Sequence, residues 1–181
     1  MDQRGWPGLQ GPHNAQNALA AITVCKLLGV SEADIDRGLA SFCGLPHRME
    51  PVGEIAGVAY VNDSKATNPE SAAPALAAFG QGHWTLGGRA KGAELDACRP
   101  QLDHVTHAYT IGEAGPAFAG LLRAAVPVTE SGTLEQAVRD AAANARAGDI
   151  VLLSPAAASF DQFRDFEARG DAFRAAVAAL A

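Results

Sequence analysis

Residues 58–79 read VAYVNDSKATNPESAAPALAAF. An apolar run, Val58–Val61, gives way to a polar turn. An alanine-rich stretch follows, with Asn68 placed to cap a helix and Pro69 at its first position. Strand, polar turn and helix in that order form the first step of a wound α/β layer. Just upstream, Met49–Ile55 and Val58–Val61 flank Ala56-Gly57, which predicts a β-hairpin.

The alternation continues downstream. Trp84–Leu86 predicts a strand, Leu95–Leu102 a short helix, Ala108–Ile111 a strand and Pro116–Ala125 a helix. A short strand at Val126–Val128 leads to a helix over Leu134–Ala147 that closes at Gly148. Ile150–Leu153 is continuously apolar, as a strand covered on both faces should be. Asp161–Leu180 predicts a last helix with a break at Gly170. Short links between alternating strands and helices imply an α/β domain with a doubly wound, mostly parallel, Rossmann-like sheet. The first part of the chain differs. Between His13 and Leu28, Ala18, Ala21, Ile22, Cys25 and Leu28 recur at helical spacing and Gly29 follows. Ser31 and Asp34 then open a second helix that runs to about Phe42. The breaker Gly44-Leu45-Pro46 separates two unequal pieces, a helical pair at 1–43 and an α/β domain at 44–181.

Of the 181 residues, 48% are hydrophobic and 19% charged, with mean hydropathy +0.02. That is enough apolar material for a core, and it excludes a disordered acidic tail. Net charge is −6 with no block of Lys or Arg, which argues against a nucleic-acid partner. No apolar run approaches the roughly 20 residues that span a bilayer, and MDQRGWPGLQ holds no export-signal core. A soluble, cytoplasmic protein without a membrane partner is expected. Cys25, Cys43 and Cys98 form no C-x-x-C pair, so the expectation is buried, reduced thiols and no zinc.

Polar clusters follow the expected strands, where ligands of open parallel sheets bind. Asn62–Ser71, NDSKATNPES, places Asp63, Ser64, Lys65 and Thr67 before a helix N-terminus that can receive an anion; the same residues also suit an ordinary Asx turn. Leu86–Gly92, LGGRAKG, has two glycines that let the backbone approach a ligand and a lysine, Lys91, that can pair with a carboxylate. It also reads as a glycine turn with a solvated lysine, and it is not a Walker A loop. Ser154–Phe163, SPAAASFDQF, ends the most apolar strand, with Ser159 or Asp161 available to cap the last helix and Phe160, Phe163 and Phe166 to pack. Earlier, GPHNAQN at 11–17 gathers His13, Asn14 and Asn17, and LPHRME at 45–50 puts His47 and Arg48 on the connection between the pieces. Ile111–Gly120 fails the G-x-G-x-x-G spacing and reads as a strand-to-helix turn.

Taken in order, GPHNAQNALAA, LPHRME, NDSKATNPES, LGG-x-x-KG and LLSPAAASFDQF-x-x-FE-x-RG-x-x-F resemble the C-terminal portion of the Mur ligases from Leu9 onward. NDSKATNP at 62–69 looks like the version found in the D-glutamate-adding members. The resemblance implies that 1–43 is the tail of a central ATPase domain and 44–181 an amino-acid-binding C-terminal domain. The P-loop, the magnesium site and the uridine pocket would lie upstream, so the chain is expected to be inactive by itself. The implied reaction uses ATP and Mg2+ to turn the carboxylate of UDP-N-acetylmuramoyl-L-alanine into an acyl phosphate, which the amine of D-glutamate attacks to give an amide, ADP and phosphate in peptidoglycan precursor synthesis. By resemblance, Asn17, Arg48 and Asp63 surround the nucleotide, while Lys65, Thr67, Lys91, Ser159, Phe160 and Phe166 surround D-glutamate. Lys65 and Arg48 would carry catalysis by positioning and charge stabilisation, and no residue is implied as a metal ligand. The alternatives are a stand-alone α/β small-molecule-binding or interaction module, and the folylpolyglutamate synthases, whose architecture is shared. Self-association through 1–43 is a further expectation, since its apolar faces lack a sheet to pack on.

Overall fold

The computed structural model describes residues 3–9, 11–92 and 94–181, apart from the side chains of Pro7, Pro12 and His13. The His13 side chain therefore lies outside the described residues. The chain divides into two compact units, 1–45 and 46–181, so the break falls within the Gly44-Leu45-Pro46 segment.

In the first unit, α1 (Pro12–Leu27) and α2 (Glu32–Ser41) form the helical pair. Ser31 caps α2 through a hydrogen bond from the Asp34 amide to its hydroxyl, as the sequence predicts. The expected apolar face of α1 is only partly covered. Ala18 is buried, Ile22 and Cys25 are half-buried, and Leu28 is 76% exposed. Leu19, Val24, Leu27 and Phe42 are exposed as well. Cys43 is also exposed, which corrects the expectation of three buried thiols; Cys98 is buried and Cys25 half-buried.

The second unit is built on a six-stranded sheet. Its strands are β1 (Glu50–Ile55), β2 (Val58–Asn62), β3 (Gly82–Gly87), β4 (Val105–Ile111), β5 (Val128–Gly132) and β6 (Ile150–Leu153). Their spatial order is β1-β2-β6-β3-β4-β5, parallel except for the β1–β2 hairpin. Ala56 (φ 51°) and Gly57 (φ 78°) make the hairpin turn in the left-handed region that a two-residue connection needs. The α-helices among the described residues of this unit are α3 (Pro69–Ala78), α4 (Gly115–Leu122), α5 (Leu134–Asn144) and α6 (Phe166–Ala178).

Two apolar layers enclose the sheet. On one face Trp84, Leu86 and Ala108 meet Ala72 and Leu76 of α3 and Phe118 and Leu122 of α4. On the other, Tyr60, Tyr109, Val151 and Leu153 meet Leu134 and Val138 of α5 and Phe173 and Val177 of α6. β6 returns from the far end of the sheet to lie between β2 and β3. The helix after β2 packs on one face and the helix after β6 on the other. Their loops leave in opposite directions and open a crevice at the carboxyl ends of β2, β6 and β3.

Three expected elements change. The helix at Leu95–Leu102 is a 3₁₀ segment, Asp96–His104, with Pro100 inside it removing a backbone donor. The strand expected at Val126–Val128 lies at Val128–Gly132, where polar Thr129, Glu130 and Ser131 are tolerated because β5 is an edge. The last helix starts at Phe166, capped by Asp165 rather than by Ser159 or Asp161, and Gly170 does not break it. Among the described residues no helix is long and apolar enough to cross a membrane.

Gly87 (φ 124°) and Gly88 (φ 127°) end β3 in conformations open to glycine alone. A Cβ on Gly87 would overlap the Ile111 carbonyl, and one on Gly88 the Ala158 carbonyl. The two glycines thus let the end of β4 and the loop after β6 close on β3, as a glycine turn requires. Gly88→Ala is expected to cost roughly 2–4 kcal/mol. Gly92→Ala, whose Cβ meets nothing within 4 Å, should stay within about 0.5 kcal/mol of the parent. Urea denaturation of both variants checks the contrast.

Candidate functional site

The crevice is organised by a buried cation. Arg169, on the first turn of α6, is 1% exposed. Its Nε donates to Ser64 Oγ (3.0 Å) and its Nη2 to the Ser64 carbonyl (2.8 Å). Its Nη1 reaches the Ala157 carbonyl (3.0 Å) and the Gly87 carbonyl (3.4 Å). One guanidinium therefore joins the loops after β2, β3 and β6. Burial lowers it to about 10, opposed by the charge of Asp161, so it remains protonated at neutral pH. Ser64 Oγ in turn donates a hydrogen bond to the Phe166 carbonyl (2.8 Å). The Arg89–Ala158 bridge, with N–O distances of 2.8 and 3.0 Å, closes the β3 and β6 loops on each other.

Asn62, at the end of β2, is fully buried. Its Oδ1 accepts from the Ser64 amide (3.2 Å). Its Nδ2 faces His47 Nδ1 (3.0 Å), Glu50 Oε2 (3.1 Å) and the Gly170 carbonyl (3.2 Å). The next residue, Asp63, is 7% exposed; its Oδ1 accepts from the Met49 amide (3.2 Å) and its Oδ2 from Ser154 Oγ (2.9 Å). Burial pushes the Asp63 carboxyl up to about 7, against the lowering effects of Ser154, the Met49 amide and Arg48. Arg48 is exposed between His47 (φ 61°) and Met49 (φ 49°), both left-handed.

Lys65 is half-buried, with its Nζ 3.9 Å from the centroid of the Phe166 ring, a cation–π contact. Thr67 and Lys91 line one cleft of about 320 Å³ together with Glu70, Glu94 and Asp96. Ser159 is buried and its carbonyl accepts from the Gln162 and Phe163 amides. Phe160 is 62% exposed, so it does not pack as one reading of its cluster expected. Asn17 belongs to the first unit, where it is exposed and its Nδ2 donates to Asn14 Oδ1 (3.4 Å).

The structure thus brings Asp63, Lys65, Thr67, Lys91, Ser159 and Phe166 to adjoining strand ends. Sequence reasoning gave no role to Arg169 or Asn62. The available signal for the first was the glycine that follows it inside an alanine-rich helix, a poor place for glycine unless something is seated against it. Asp161, expected as a helix cap, accepts from the Glu113 amide instead (2.8 Å), across from the start of α4.

Fold and site together define a doubly wound α/β domain with a cation-bearing crevice at its strand ends. The profile of the family described as "Mur ligase, glutamate ligase domain" matches residues 47–157, and the chain belongs to the Mur ligase family. It is 60% identical to the UDP-N-acetylmuramoylalanine–D-glutamate ligase of Sphingopyxis alaskensis over 185 residues, covering 99% of this chain and 43% of that protein. The protein of the same name from Zymomonas mobilis is 57% identical over 180 residues, 99% of this chain and 41% of its own length. The chain therefore spans about two-fifths of these relatives. In fold it matches the UDP-N-acetylmuramate–alanine ligase of Thermotoga maritima, with TM-score 0.69 at 15% identity over 94% of this chain and 39% of that one. It also matches the bifunctional folylpolyglutamate synthase/dihydrofolate synthase of Yersinia pestis, with TM-score 0.62 at 24% identity over 95% and 41%.

The elevated Asp63 makes a prediction about stability. Its unfolded carboxyl ionises near 3.8 and its folded one near 7. Its contribution is therefore greatest below pH 3.8 and is lost as pH rises to about 7. Asp63→Asn keeps the shape without the charge. It should gain on the parent between pH 4 and 7 and hold that gain above, by roughly 4 kcal/mol at most. Thermal melts of the pair across pH 4–8 measure the difference.

Proposed function

We propose that this chain forms the C-terminal part of the ATP-dependent ligase that joins D-glutamate to UDP-N-acetylmuramoyl-L-alanine in the cytoplasm. In this reading residues 1–43 close the central ATPase domain, and 44–181 bring in the amino acid. ATP converts the muramoyl-alanine carboxylate to an acyl phosphate with release of ADP. The D-glutamate amine adds to that carbon, and the tetrahedral intermediate expels phosphate to leave the amide. Asn17, Arg48 and Asp63 face the nucleotide. Lys65, Thr67, Lys91, Ser159, Phe160 and Phe166 face D-glutamate, while Lys65 and Arg48 stabilise the charge that develops during transfer. Mg2+ would accompany ATP. Among the described residues no group of three or more His, Cys, Asp or Glu could hold a metal ion.

The observation that carries this reading is the cleft shared by Lys91, Thr67 and three carboxylates. An amino acid is a zwitterion, and a dicarboxylic one needs cations and hydroxyls for its acid groups and an acidic rim for its ammonium. The relatives at 57–60% identity are named for D-glutamate, which supports the same substrate here.

Lys91 is exposed and free to meet a carboxylate. Losing a charge-assisted hydrogen bond costs roughly 1.5–3 kcal/mol, about 10- to 150-fold in affinity. In an intact ligase carrying this segment, Lys91→Ala should raise the KM for D-glutamate within that range at saturating ATP and leave ATP use unchanged. An unaltered KM would make the loop at 86–92 structural and remove Lys91 from the site.

A further inference from the structure

Gly170 occupies an interior turn of α6, where glycine is about 1 kcal/mol worse than alanine. Its backbone is ordinary and needs no glycine. What excludes a side chain is His47, because a Cβ at 170 would overlap the imidazole at Nδ1. The helix thus leaves a slot, and His47 fills it with only 5% of its surface exposed. Such a seat for a polar ring in a linker segment calls for a purpose.

The ring's contacts give one. The Ser64 amide holds Asn62 Oδ1 (3.2 Å), which turns the Asn62 NH₂ toward His47 Nδ1 at 3.0 Å. Nδ1 is therefore the acceptor and the ring proton sits on Nε2, 4.0 Å from Asp171 Oδ1. With the plane fixed in this way, the imidazole meets Phe166 edge-on, centroids 6.0 Å apart at 79°. The Phe166 ring in turn carries the Lys65 ammonium at 3.9 Å. The Lys65 amide also donates to the His47 carbonyl (3.0 Å), so both ends of residue 65 refer back to residue 47.

We propose that His47 is a positioning residue: lodged in the slot that Gly170 leaves in α6, it fixes the plane of the Phe166 ring and thereby the place of the Lys65 ammonium before any ligand arrives. Edge-to-face packing holds a ring in one orientation better than aliphatic contact does. A lysine without such a platform would sample many rotamers and lose more entropy when it meets an anion. This deepens the proposed function, since it rests on that reading for what Lys65 meets. The geometry itself needs no substrate.

The chain has three lysines, Lys26, Lys65 and Lys91, so selective ¹³C labelling of lysine resolves each ε-CH₂ group by NMR without ligand. The Lys65 ε-CH₂ should lie upfield of the other two through the ring current of Phe166, and Phe166→Leu should abolish the shift. His47→Asn tolerates the left-handed backbone, and Gly170→Ala displaces the imidazole while keeping it. Each should collapse the Lys65 shift toward the Lys26 and Lys91 positions and leave those two signals in place. An unshifted Lys65 in the parent chain overturns the proposal outright and needs no variant to fold. A shift that survives in cooperatively folded His47→Asn or Gly170→Ala overturns it as well. Because no substrate enters, failure here leaves the ligase reading untouched, and failure of the Lys91 kinetics leaves this result untouched.

Discussion

A single guanidinium placed where three parallel strands end holds the crevice together. Ser64, Gly87 and Ala157 are far apart in sequence and follow strands that lie side by side only because β6 returns between β2 and β3. Parallel strands end in loops with no hairpin to define them, so their geometry must come from elsewhere. Arg169 supplies it with hydrogen bonds to a hydroxyl and three carbonyls. A lysine could not replace it, since an ammonium lacks the planar fork that meets acceptors on several loops at once. Burying that charge without a carboxylate in hydrogen-bonding contact is tolerable only because carbonyl dipoles surround it. The same demand explains Gly88, where a side chain would crowd both the Ala158 carbonyl and Arg169 Nη1.

The consequence for α6 is that its first turns serve the site rather than the core. Asp165 caps it, the Phe166 carbonyl accepts from Ser64, Arg169 reaches the strand ends, and the Gly170 carbonyl accepts from Asn62. The inward-facing apolar residues Phe173 and Val177 come only later. Farther along, Arg174 pairs with Glu50 on β1 and with Asp171, which ties the helix to the hairpin that leads into β2. One helix thus spans from the edge of the sheet to its switch point, and its sequence carries both duties within 13 residues.

How much of this was legible depended on whether the information was local. Ile150–Leu153 could be read because a strand covered on both faces must be apolar throughout. Ala56-Gly57, Ser31 and Asn68 could be read because turns and caps are local chemistry. β5 could not be placed, since an edge strand with Thr129, Glu130 and Ser131 carries no apolar alternation. Gly87, Gly88 and Gly170 were visible as glycines, but their reasons lie in residues tens of positions away, and so ligand access or a glycine turn for the first two and a helix break for the third were the available readings. Asp161 looked like a cap because it preceded a helix, whereas Asp165, nearer the true start, took that place. The site clusters themselves were legible because strand ends of a wound sheet are where polar residues gather. Their convergence on Arg169 was not, since only the strand order brings those loops together.

Burial also decides the sign of the field in the crevice. The chain as a whole carries −6, which would repel an anionic ligand if it were spread evenly. At the strand ends Lys65, Lys91 and Arg48 are positive and exposed or half-buried, while Glu50 and Glu113 there are paired with Arg174 and Arg89. Asp63, the acid in their midst, is pushed up to about 7 by burial. Its charge is therefore weakened near neutral pH, and it offsets the neighbouring cations less than an ordinary carboxylate would. Fully ionised, it would cancel one of them at short range, where the low local dielectric makes charges count most. The acids that do stay in water, Glu70, Glu94 and Asp96, line the cleft of Thr67 and Lys91, where an ammonium rather than a phosphate is their natural counterpart. An acidic protein can thus present a cationic strand-end face beside an acidic rim, and that division requires Asp63 to sit out of water between Met49 and Ser154.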